Sequence, residues 1–113
     1  VLAGLPLPAN RIAVAGFSDG ASYALTLGLT NGDVLRRVVA FSPGFSAARQ
    51  HHGKPELLVT HGVRDTVLPI DRTSRRVVPM LQQAGYDVDY REFDGGHSVP
   101  PDLAEQAADW LVR

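Results

Sequence analysis

Five residues near the start of the chain, Gly16-Phe17-Ser18-Asp19-Gly20, set a hydroxyl nucleophile between small residues. The G-x-S-x-G spacing acquires chemical meaning when a strand runs into it and a helix leaves it. The apolar, β-branched run Arg11 to Ala15 reads as that strand, and the pattern from Ala21 to Leu29 reads as that helix. On so sharp a turn the glycines let the chain pass close to its neighbours while the hydroxyl of Ser18 is lifted clear. The first amides of the helix, that of Asp19 foremost, then face the place where an oxyanion would develop.

A serine hydroxyl is a weak nucleophile, so a base must take its proton and a carboxylate must orient that base. Of the four histidines, His97 stands in Asp94-Gly95-Gly96-His97-Ser98, just after the last expected strand, where glycines let an imidazole reach over the sheet. His61 follows the third expected strand and reads as structural, while the adjacent His51 and His52 read as surface loop residues. For the carboxylate, Asp65 lies in a loop at the carboxyl end of that third strand, where sites in parallel sheets form. Its competitors are Asp71, which reads better as a helix N-cap, and Asp94, which is close to His97 in sequence. Phe17, Pro43 and Leu68, with Gly44 and Phe45, are candidates for an apolar pocket around Ser18 and equally for plain packing.

The elements that must hold these residues alternate in the rhythm of βα units. Strands are expected at Arg11 to Ala15, Arg37 to Phe41, Glu56 to Thr60 and Asp87 to Glu92. The second and third are nearly continuous apolar runs, as for strands covered on both faces, and the fourth alternates like an edge. Helices are expected at Ala21 to Leu29, Arg72 to Ala84 and Asp102 to Val112. Gly85 stops the second of these, and Pro79 within it predicts a kink or a late restart. Ser46 to Lys54 reads as an exposed loop or short helix, Arg72, Arg75 and Arg76 as a solvated face, and Trp110 with Leu111 as the anchor of the last helix. The fold class is α/β: a parallel sheet of about four strands with flanking helices.

Composition bounds the partners. Eleven Lys and Arg against twelve Asp and Glu give a net charge of −1, so no basic excess invites nucleic acid or an anionic membrane. No apolar run is long enough to span a bilayer. With no cysteine there is no disulfide, thiolate metal site or cysteine nucleophile, and no His or carboxylate pattern suggests a metal. Cytoplasm is the default compartment, with a secreted precursor compatible. The one methionine is Met80, so the sequence is expected to begin at an internal cut.

The stretches RIAVAGFSDGASYAL, HGVRDTVLPI and FDGGHSVPPDLAEQAADWL resemble parts of bacterial serine esterases of the phospholipase/carboxylesterase and dienelactone-hydrolase kind, within the α/β-hydrolase superfamily. The resemblance runs from Arg11 to Leu111 and corresponds to the C-terminal, triad-bearing part of that fold. It implies a triad of Ser18, Asp65 and His97, in the order usual for this superfamily. It also implies small esters as substrates and no cofactor. A serine peptidase or thioesterase would use the same residues.

Two departures matter. Asp19 stands where many relatives carry Gln, which should disfavour anionic substrates. The family's earlier strands, one of which leads into a loop that donates a second oxyanion amide, have no counterpart before Arg11. A catalyst lacking one such donor is expected to be slower by roughly 100- to 1,000-fold, which leaves a catalytically incomplete fragment or association module as the alternative. The strand Arg11 to Ala15 is therefore expected to pair with a missing N-terminal segment or a second copy.

Overall fold

The computed structural model describes residues 12–46, 48 and 50–112. Its elements follow in the order β1 (Ala13–Phe17), α1 (Asp19–Thr30), β2 (Arg37–Phe41), β3 (Glu56–Gly62), α2 (Ser74–Gln83), β4 (Val88–Phe93) and α3 (Pro101–Val112), with a 3-10 turn at Ile70–Arg72 before α2. The four strands form one sheet in the order β1-β2-β3-β4, every pair parallel. This is the expected α/β architecture.

The sheet is filled on both faces because its central strands are apolar through their middles, at Val38 to Ala40 and Leu57 to Val59. Val38 and Ala40 of β2 and Leu57 and Val59 of β3 join Val14, Leu25, Leu29, Val78 and Leu81 in a core beneath α1 and α2. The alternate residues Val39 and Leu58 point the other way and pack against Ala107 and Trp110 of α3. A period of two in the strands thus sorts neighbouring apolar side chains into two layers. On α1 the buried residues Ala21, Ala24, Leu25, Gly28 and Leu29 make one helical stripe. Arg37 fastens α3 to β2: its guanidinium donates to the carbonyls of Trp110 and Leu111 at 2.8 and 3.1 Å and lies 5.5 Å from the Trp110 ring centre.

Several boundaries differ from the sequence expectation. The first strand begins at Ala13 and runs on through Gly16 and Phe17, so α1 starts immediately after Ser18; Arg11 lies outside the described residues. The third strand continues to Gly62 because Thr60, His61 and Gly62 all pair with β4, which places His61 inside the strand. The fourth strand is shifted to Val88–Phe93. The helix expected from Arg72 breaks at Thr73, and α2 starts at Ser74. It then runs through Pro79 unbroken. That proline faces solvent beside Arg75, Arg76 and Met80, so the carbonyl it cannot serve can turn to water. The described residues between Ser46 and Lys54 form no helix.

Candidate active site

Ser18 sits between β1 and α1 at φ 59°, ψ −119°, a left-handed conformation that side chains rarely adopt. Surrounding structure enforces it. The Ser18 amide donates to the Phe41 carbonyl at 2.9 Å, while its own carbonyl accepts from the amides of Ala21 and Ser22 at 3.0 and 3.1 Å. Gly16 lies directly against the Gly20 carbonyl, and a Cβ at position 16 would overlap it. One strand over, Ser42 ends β2 with φ 55°, so two neighbouring strands turn away at the same level. Helical geometry leaves the first amides of α1, including Asp19, without intrahelical partners.

His97 approaches from the loop after β4. Its Nε2 is 2.9 Å from Ser18 Oγ and its Nδ1 is 2.6 Å from Asp65 Oδ2. A carboxylate can only accept, so Nδ1 carries the hydrogen and Nε2 is free to accept from the serine hydroxyl. The imidazole also lies against Phe17, with ring centres 4.8 Å apart and planes at 40°. Two loops are clasped to bring the acid and base together: the amides of Val63 and Arg64 donate to the carbonyls of Phe93 and Gly95, each at 2.9 Å.

Asp65 is buried, its side chain wholly covered, whereas that of His97 is 14% accessible. Burial by itself would raise the Asp65 pKa. It is outweighed by the hydrogen bond from the Leu68 amide, by His97, and by the Val67 amide, so the group titrates below its ordinary value. Oδ1 takes both amides, Val67 at 2.9 Å and Leu68 at 2.8 Å, which leaves Oδ2 for imidazole. The competing carboxylates are engaged elsewhere. Asp94 pairs with Arg64 at 3.1 Å. Asp71 pairs with Arg75 at 2.8 Å and does not cap α2, whose N-cap is Thr73.

The pocket candidates separate. Phe17 and Phe45 are exposed beside the site, and Leu68, partly covered, faces Gly44. Pro43 is fully buried, in line with its alternative reading as packing, and the Gly44 and Phe45 amides that follow it donate to Ser22 Oγ at 2.9 and 3.2 Å. Ser22 was not singled out in the sequence, although its position one helical turn after Ser18 is the available signal. His61 likewise proves to touch the acid, with Nε2 3.2 Å from Asp65 Oδ2. His51 meets the Tyr86 hydroxyl at 3.0 Å, and exposed His52 lies near Gln50. Arg75 is bound by Glu92 and Asp71, while Arg72 and Arg76 of the same face are exposed. Among the described residues no group of His, Asp and Glu is arranged to hold a metal ion, and no helix is long and apolar enough to cross a membrane.

A family model described as phospholipase/carboxylesterase matches residues 2–112. The chain is 25% identical over 114 residues to an acyl-protein thioesterase 1 of Gibberella zeae, an alignment covering 92% of this chain and 48% of that protein. It is also similar to the solved structure of esterase PE8, at 31% identity and TM-score 0.82, covering 94% of this chain and 51% of that one. The Bacillus cereus carboxylesterase shares the fold at 21% identity and TM-score 0.76, covering 94% of this chain and 51% of that one. The chain therefore spans about half the length of the relatives it matches.

Proposed function

Since the chain belongs to the phospholipase/carboxylesterase family of α/β-hydrolases, we propose that it carries the catalytic machinery of a serine hydrolase acting on carboxylic esters. The observation that carries this reading is the continuous hydrogen-bonded sequence from Asp65 through His97 to Ser18, with the serine held on a left-handed turn at a helix start.

In the proposed reaction Ser18 Oγ attacks the acyl carbon as its proton passes to His97 Nε2. Asp65 remains ionised and accepts from Nδ1, favouring the imidazolium that forms. The tetrahedral oxygen is received by the Asp19 amide at the start of α1. Collapse expels the alcohol, which takes the proton from His97, and leaves an acyl-serine. Water then gives a proton to His97 and attacks the acyl carbon; the acid departs and Ser18 regains its hydrogen. The exposed Phe17, Phe45 and Val67 suit an apolar acyl group, and the Asp19 carboxylate disfavours an anionic one.

A second oxyanion amide is assigned, in this proposal, to a polypeptide segment paired along β1, either an N-terminal segment or a second copy. The basis is that β1 has no neighbour on its outer side among the described residues. Thioesters are the second reading, favoured by the relatives named acyl-protein thioesterase, because the same three residues would cleave either bond.

Incubation with p-nitrophenyl acetate, a thioester of the same acyl length, and a fluorophosphonate probe tests these assignments. Ester turnover and labelling that both vanish in Ser18→Ala are expected. Labelling that survives the substitution would remove Ser18 from its role, and thioester turnover well above ester turnover would favour the second reading.

A further inference from the structure

The steps above give the imidazole of His61 no task, although it is one of the most deeply buried polar groups in the molecule. Its side chain has no accessible surface. It projects from β3 toward the start of α2, where Nδ1 lies 2.6 Å from Ser74 Oγ. On the other side Nε2 lies 2.8 Å from the Leu68 carbonyl and 3.2 Å from Asp65 Oδ2. Both of these oxygens are acceptors only, so Nε2 must carry the hydrogen, which it gives to the Leu68 carbonyl beside Asp65 Oδ2, and Nδ1 must accept from the Ser74 hydroxyl.

Leu68 is tied at both ends as a result: its amide donates to Asp65 Oδ1 and its carbonyl accepts from His61. Oδ2 then faces two imidazole nitrogens, His97 Nδ1 hydrogen-bonded to it at 2.6 Å and His61 Nε2 in electrostatic contact at 3.2 Å. A buried carboxylate stays ionised and fixed in direction only when its lone pairs are occupied. The two amides hold Oδ1 alone. Rotation that would swing Oδ2 away from His97 is opposed by His61, which is itself held by Ser74 at the break between the 3-10 turn and α2.

We propose that His61, steered by Ser74, is a positioning residue of the site, which holds Asp65 so that Oδ2 meets His97 in one orientation. The proposal rests on the assignment of Asp65 as the orienting acid. It makes the strand-end histidine and the loop aspartate, four residues apart, one functional unit, and it links the amino end of α2 to the serine through His61, Asp65 and His97.

A double-mutant cycle tests it. His61→Phe keeps a ring but removes the donor, His61→Gln restores an N–H near Nε2, and Ser74→Ala removes the steering hydroxyl; each is made alone and with Asp65→Asn. The readouts are kcat and KM on p-nitrophenyl acetate and the far-downfield proton resonance of the His97 Nδ1–H bonded to Asp65. His61→Phe should lower kcat about ten- to a hundredfold with KM nearly unchanged, as for loss of one polar contact beside a buried charged group. The resonance should shift or broaden. His61→Gln should recover most of both, and in the Asp65→Asn background the kcat penalty should disappear. An equal kcat penalty in that background, or an unperturbed resonance in folded His61→Phe, would overturn the proposal. If His61→Phe does not fold, Ser74→Ala carries the comparison: a smaller loss that depends on Asp65 supports the proposal, and an additive loss overturns it. Full activity in Asp65→Asn alone would instead remove the acid assignment.

Discussion

Gly62, the last residue of β3, lies directly against the carbonyl of Gly96, so closely that a Cβ at position 62 would overlap that oxygen and the carbonyl of Gly95 beside it. This backbone contact sets how near the loop that carries Asp65 comes to the loop that carries His97. The 2.6 Å bond between those side chains depends on it.

Gly62→Ala should therefore damage the site more than the fold. Separating the two loops costs on the order of 1–3 kcal/mol as overpacking, and displacing His97 by about 1 Å should lower kcat roughly a hundredfold. Denaturant unfolding and turnover, measured on the same preparation, separate the two effects. A variant with wild-type kcat would show that the loop contact does not position the base.

Asp65→Asn should preserve the fold and lower kcat by about 10⁴-fold, because an amide can stabilise the imidazole tautomer that leaves Nε2 unable to accept from Ser18. Steady-state kinetics on the p-nitrophenyl ester are sufficient. Retention of more than about a tenth of the activity would conflict with the role assigned to Asp65.

Acid should destabilise the protein through two carboxylates whose folded pKa values lie below the unfolded ones. Asp65 is lowered from 3.8, burial opposing and the Leu68 amide and His97 prevailing; Glu92 is lowered from 4.5 to about 2, chiefly by its hydrogen bond from Arg75. A depressed pKa contributes stability above the unfolded value and loses it as pH falls toward the folded value. Unfolding free energy should thus decline as pH drops from 4.5 to about 2, the window set by Glu92. Glu92→Gln should flatten that decline, though only modestly because the Glu92 side chain is 30% exposed and screened by water. Denaturant midpoints across this pH range check it, and an unchanged profile in Glu92→Gln would contradict the assignment.

Arg37→Ala should loosen α3. The substitution removes the donors to the Trp110 and Leu111 carbonyls, the cation over the indole ring and the ion pair to Glu56 at 3.2 Å. Together these contribute about 1–3 kcal/mol, enough to lower Tm by several degrees. Thermal unfolding followed by Trp110 fluorescence reports it, and a Tm equal to wild type would show that apolar packing alone seats the helix.

Much of the fold was legible because its signals are local. The runs Arg37–Phe41 and Glu56–Thr60 are nearly continuous apolar stretches, as strands covered on both faces require, and βα alternation then leaves a parallel sheet as the simple topology. Boundaries were less legible where pairing decides them. Gly16 and Phe17 extend β1 because β2 offers partners at Ala40 and Phe41, and His61 joins β3 because Glu92 lies opposite. Pro79 carries a strong local signal against helix, yet α2 passes through it because its exposed side tolerates the lost hydrogen bond.

The site divides in the same way. By itself the sequence determined the turn at Ser18, because strand, glycines and helix lie within a few residues and their sterics leave little choice of conformation. It also narrowed the base and the acid to a few side chains. Tertiary structure decided which of them meet. Asp65 lies 32 residues from His97 and reaches it only because β3 and β4 are neighbours clasped at Gly62, whereas Asp94, three residues from His97, is drawn outward by Arg64. It also decided that Pro43 is buried and that His61 faces Asp65. These outcomes depend on the register of paired strands and on the competition of each carboxylate for donors across the fold, quantities that no stretch of residues contains until the chain is closed upon itself.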